Sequence, residues 1–184
     1  MAYRNGTYIA FHANGTTEPG ESDYTYYNLL KAWHVREESD FEFVDSHEKT
    51  AALRDGYTRA ALRERLVTRL RNSKNLILII GPTTREDRDW VPFEIEYAID
   101  KCGLPIIATY TRYSAITEPA KWASLWPPSL AQRIRANSAR VIHIPFKQKP
   151  LAAAVGQFSI HDKLPTSPLA YYGADAYRNW GLIA

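Results

Sequence analysis

The run Leu76-Ile77-Leu78-Ile79-Ile80 constrains this chain more than any other feature. Five consecutive apolar residues leave no polar side to turn toward water. The run is too short for a helix and is bounded by Asn75 before it and Gly81-Pro82 after it. It reads as a central strand buried on both faces. A strand of that kind belongs in a parallel sheet covered by helices on both sides. The rest of the chain must then supply strands and amphipathic helices in alternation.

It does so. Thr7 to His12 reads as a first strand, followed by a Gly/Thr/Pro/Glu loop through Ser22. Asp23 can cap a helix carrying Tyr24, Tyr27, Leu30 and Trp33. Phe41 to Asp45 is a short second strand. From about Thr58 to Asn72, Leu62, Leu66 and Leu70 recur at helical spacing and make one apolar face. The central strand comes next. A helix then starts near Trp90, tolerates Pro92 in its first turn, and stops at Gly103. Pro105 to Tyr110 and Arg140 to Ile144 are the fourth and fifth strands, and a helix follows from about Pro150 to Phe158. The stretch 111–137, with Trp122, Trp126, Pro127 and Pro128, holds a short helix or two.

The expected fold is therefore α/β: a doubly wound, mainly parallel, five-stranded sheet with helices on both faces. One domain spans residues 1–158. An extension, 159–184, carries Tyr171, Tyr172, Tyr177 and Trp180. Disordered tails rarely hold so many aromatics, so it is expected to pack on the domain or on a partner. In such sheets ligands bind outside the carboxyl ends of the strands. That rule points to His12 and Ala13, to Asp45 and Ser46, and to the segment after Gly81.

Composition narrows the class further. The formal net charge of +3 is small, and the one arginine cluster, Arg59, Arg63, Arg65, Arg69 and Arg71, follows the polar side of a helix. A solvated face is expected there rather than a nucleic-acid surface. Cys102 is the single cysteine and excludes an internal disulfide; a structural thiol is expected. No apolar run approaches the ~20 residues that span a bilayer, and Met1 to Asn5 has no signal-peptide core. The expected compartment is the cytoplasm. No phosphate-loop, dinucleotide-fingerprint or nucleophile-elbow motif is present, and His12, His34, His47, His143 and His161 lack metal-ligand spacing. No metal is expected. A phospho-receiver domain would need acids where His12 and Gly81 stand.

The segment Asp89-Trp90-Val91-Pro92-Phe93-Glu94-Ile95 resembles the Trp-x-x-x-Glu-Ile/Leu signature that opens the third helix of TIR domains. Tyr8 to His12 looks like the first TIR strand and its loop, and Phe43-Val44-Asp45-Ser46 like the second. Asn72 to Gly81 looks like the segment before the signature. In this order the pieces are similar to prokaryotic TIR-like proteins of the ThsB kind, from Thoeris anti-phage systems. The resemblance covers roughly residues 7 to 158.

The resemblance implies an enzyme that cleaves NAD between nicotinamide and ribose, with Glu94 as the catalytic residue. NAD is then a substrate, and no cofactor is implied. It also implies a cyclic or otherwise modified ADP-ribose signal, a separate effector that the signal activates, and a phage-derived trigger. Nicotinamide departs without protonation, through a transition state resembling an oxocarbenium ion. One carboxylate beside the ribose can suffice. Trp90, a turn before Glu94, could stack on the nicotinamide or a ribose face. Phe11 and His12 could form the opposite wall, and Asp45 and Ser46 could hydrogen-bond a ribose.

Plainer readings stand beside these. Glu94 also reads as a helix-start acid favoured by the dipole. Trp90 also reads as a core aromatic, His12 as a polar loop residue, and Asp45 as a turn former. Two other functions fit the same fold. One is a non-catalytic TIR scaffold that signals by forming a homo-oligomer. The other is a nucleoside deoxyribosyltransferase-like enzyme, which shares the sheet and a catalytic Glu.

Overall fold

The computed structural model describes residues 4–13, 23–35 and 58–184. The expected strand Phe41–Asp45 lies outside them. Among the described residues, five strands form one sheet in the order β1 (Gly6–Ala10), β2 (Ser73–Ile80), β3 (Ile106–Tyr110), β4 (Val141–Pro145) and β5 (Ala170–Tyr171). Every neighbouring pair is parallel. Tyr8 stands beside Leu76, Leu76 beside Ile106, and Ile106 beside Val141.

Strand residues alternate between two cores, as a period of two requires. Tyr8, Ala10, Leu76, Leu78, Ile80, Ile106 and Ala108 point to one face. There they meet α2 (Arg59–Asn72), α3 (Trp90–Glu96) and α4 (Pro128–Arg135). Ile9, Phe11, Ile77, Ile79, Ile107 and Ile144 point to the other. They meet α1 (Tyr24–Val35) and α5 (Gln148–Gln157). Both neighbours of every residue in the 76–80 run are thus protein, and each of the five is at most 2% exposed. That is the physical content of an unbroken apolar strand.

Helix ends follow from local chemistry. Thr58 Oγ1 accepts the Ala61 N–H at 3.2 Å and starts α2. Leu62, Leu66 and Leu70 bury its inner face. Each contributes about 1.5–3 kcal/mol of transfer free energy on burial. The α3 helix continues through a π-helical turn, Tyr97–Lys101, and stops at Gly103, whose φ of 63° suits a residue without Cβ. Asn75, fully buried at the start of β2, donates through Nδ2 to the carbonyls of Val155 and Phe158 at the end of α5. No helix among the described residues is long and apolar enough to cross a membrane.

The 159–184 segment folds back on its own chain. It supplies β5, pairing Ala170 with Ile142 of β4, and the short helix α6 (Ala174–Asn179). Tyr177 of α6 is fully buried and donates to the Ile116 carbonyl at 3.2 Å. A buried polar chain ties this segment to the sheet. Trp126 Nε1–H donates to the Tyr110 hydroxyl at 2.7 Å, and that hydroxyl donates to His143 Nδ1, also at 2.7 Å. His143 Nε2–H in turn donates to the Pro168 carbonyl at 3.1 Å. Only a neutral imidazole has one donor and one acceptor nitrogen for these partners. Burial holds the His143 pKa down to about 4.

Candidate functional site

Glu94 sits in the middle of α3 and has none of its surface exposed. The Tyr8 hydroxyl donates to Glu94 Oε1 at 2.6 Å, and Tyr8 is equally buried. Tyr8 stands two residues before the end of β1. At about 3.3 Å per residue, the Tyr8 backbone lies about 7 Å inward of the strand's carboxyl end. Burial, then the neighbouring Glu94 carboxylate, raises the Tyr8 phenol well above its ordinary value. The phenol therefore keeps its proton and acts as a donor.

Trp90 is half-buried one turn before Glu94 and meets Phe93 edge-on at 6.4 Å. Arginines of α2 cover this helix. The Arg59 guanidinium lies 5.2 Å from the Trp90 ring centre, Arg63 lies 4.7 Å from Phe93, and Arg71 lies 5.9 Å from Tyr97. Arg59 also pairs with Asp89. Arg59, Arg63 and Arg71 remain exposed, as expected of a solvated face, while lying over these rings. An open groove of about 610 Å³ runs along these helices between Arg63, Val67, Arg71 and Tyr97.

The remaining sequence candidates lie elsewhere. Phe11 is 2% exposed and stacks on Tyr27 at 4.9 Å, on the face of the sheet opposite Glu94. The odd-even alternation of β1 sends Tyr8 to one side and Phe11 to the other. His12 lies at the carboxyl edge, half-buried, with Nδ1 3.1 Å from Thr83 Oγ1. Asp45 and Ser46 are outside the described residues. Among the named candidates, the structure places Trp90 and Glu94 on one helix, His12 just beyond the end of β1, and Phe11 on the opposite face of the sheet.

A second polar cluster occupies the carboxyl edge between β1 and β2. Thr84 Oγ1 donates to Asp23 Oδ2 at 2.6 Å and accepts the Gly81 N–H at 2.7 Å. Asp23 and Thr84 are both buried. Burial pushes the Asp23 carboxyl up, and the Thr84 hydroxyl and nearby His12 oppose that rise. Gly81 permits the close approach, since a Cβ there would stand 1.7 Å from Asp23 Oδ1. A cavity of about 70 Å³ opens beside it, between Ile80, Gly81, Thr111, Arg112 and Tyr113. Cys102 is half-buried, and burial raises its thiol, which suits a structural role.

Sequence reasoning missed Tyr8 and Thr84. Tyr8 was legible in principle, as a hydroxyl inside an apolar strand on the side that faces α3. Thr84 gave no such signal, because its partner Asp23 is 61 residues away.

Among solved structures, the chain is similar to a 2-desoxiribosyltransferase from Leishmania mexicana. The match covers 97% of each chain at 12% identity, with a TM-score of 0.43. A likeness at that level carries nothing about activity. The family match is of another order. Residues 8–116 match the family described as Thoeris protein ThsB, TIR-like domain, and the matched span holds both Tyr8 and Glu94. The chain belongs to the ThsB TIR-like family of Thoeris proteins.

Proposed function

We propose that this protein cleaves NAD at the bond between nicotinamide and ribose, with Glu94 as the catalytic carboxylate. The observation that carries the reading is Glu94 itself. It stands in the Trp-x-x-x-Glu-Ile position of a ThsB TIR-like domain, buried, and anchored at 2.6 Å by a tyrosine from the first strand. A carboxylate withdrawn from bulk water stabilises developing positive charge far better than an exposed one. Nicotinamide leaves as a neutral base, so no general acid is required. Trp90, on the preceding turn, offers an aromatic surface for the ring or the ribose. His12, just beyond the end of β1, would serve the ribose, and Asp45 and Ser46 are the further candidates for that role.

The ribosyl cation then takes an acceptor. Water gives ADP-ribose, and an internal hydroxyl or adenine nitrogen gives a cyclic product. In a Thoeris setting a cyclic or modified ADP-ribose would act as a signal to a separate effector, released when phage provides a trigger. Mass spectrometry after incubation with NAD, with and without phage-infected lysate, tests the reading. Glu94→Gln is expected to lower nicotinamide release by about 100-fold or more while circular dichroism stays unchanged. A Glu94→Gln protein as active as wild type would sink the assignment.

A further inference from the structure

Two buried groups meet in the Tyr8–Glu94 contact, and neither reaches bulk water. A carboxylate with no exposed surface needs strong donors to remain ionised. A phenol hydroxyl at 2.6 Å is within the range of a charge-assisted O–H···O⁻ bond. The strand gives this donor a fixed position. Tyr8 lies between Thr7 and Ile9 in β1, in register with Leu76 of β2, so its backbone cannot shift without breaking the sheet. Glu94, by contrast, is a flexible side chain on a seven-residue helical segment.

We propose that Tyr8 is the positioning residue of the Glu94 site, its hydroxyl holding Oε1 so that the carboxylate stays ionised and in one orientation. This rests on Glu94 being the catalytic carboxylate, as proposed above. A carboxylate has about four acceptor positions on its two oxygens. Tyr8 touches Glu94 and acts on NAD only through it.

The charged and titratable surroundings are consistent with this arrangement. From β1 the group facing Glu94 is Tyr8 itself. From α2, Arg69 lies close enough to act on the Tyr8 phenol. From α4, Arg133 is committed to Asp100 and Glu96 on the outer side of the helix layer. Burial and the neighbouring Glu94 both raise the phenol, so Tyr8 keeps its proton and is the donor of the pair.

Tyr8→Phe removes the hydroxyl and keeps the ring. Carboxyl-labelled glutamate NMR follows the protonation of Glu94 directly, its signal being the one missing from Glu94→Gln. In Tyr8→Phe the Glu94 midpoint is expected to rise by about one pH unit, a tenfold change in its protonation constant. The acid limb of the nicotinamide-release profile should move by the same amount. The kcat should fall about tenfold with KM little changed, since the donor supports the transition state rather than binding. A Glu94 midpoint identical in wild type and Tyr8→Phe overturns the proposal, whatever the activity. Nicotinamide release that survives in Glu94→Gln instead overturns the catalytic reading of Glu94, and the NMR titration still reports on the contact.

Discussion

Hydrogen-bond arithmetic at single side chains decides the polar parts of this fold. The Thr84 hydroxyl holds the Gly81 N–H on one side and the Asp23 carboxylate on the other. Replacing it with valine keeps the shape and leaves both partners buried without it. Thr84→Val is expected to cost about 1–3 kcal/mol, read from the urea midpoint at an unchanged m-value. A loss below ~0.5 kcal/mol would show that Asp23 is neutral and content without the donor. The neighbouring glycine is needed for space, because any Cβ at 81 would enter the Asp23 carboxylate. Tyr8 and Glu94 belong to the same scale: one hydroxyl, one oxygen and a fixed strand.

At the scale of elements, α3 carries the signature and is held from two sides. Its inner residues Val91, Ile95 and Ala98 pack on the sheet, while Arg59, Arg63 and Arg71 of α2 lie over its aromatics. Exposed cation–π pairs contribute about 0.5–1 kcal/mol each, so the apolar face dominates. The π-helical turn that follows is released at Gly103. An alanine Cβ there would meet nothing within 4 Å, so the cost of Gly103→Ala is purely that of a left-handed backbone. About 1–2 kcal/mol is expected, with Gly103→Asn costing less, and thermal melts of the pair measure it. Equal losses in both variants would point to some interaction other than φ.

At the scale of the whole molecule, the 159–184 segment and the sheet stabilise one another through His143. In the folded protein this imidazole is neutral down to about pH 4, whereas in the unfolded chain it takes a proton near its ordinary 6.5. Between those values the unfolded state holds more protons, so stability is complete above about 6.5 and falls as the pH drops toward 4. The whole step is worth about 3 kcal/mol. Urea titrations at a series of pH values should show that slope in wild type. His143→Gln should lose that part of it, and an equal slope in the variant would contradict the assignment. A separate bond, from the Tyr177 hydroxyl to the Ile116 carbonyl, ties the extension to its own chain as well.

The amino-acid sequence by itself pointed to the parallel sheet, because Leu76 to Ile80 needs cover on both faces and amphipathic helices alternate with the strands to supply it. It determined most element positions as well, since apolar spacing, Thr58 and Gly103 are local signals. The family signature placed Glu94 on its helix in the same way. Three features came from tertiary structure alone. The β5 strand exists because β4 presents an open edge to two residues with no strand pattern of their own. Phe11 faces away from Glu94 because packing put α3 on the Tyr8 side of β1, a choice that strand alternation alone does not make. The Tyr8–Glu94 bond joins residues 86 apart in the chain. No periodicity encodes such a distance. Packing a helix onto a strand does, by bringing one hydroxyl to one carboxylate in a place without water.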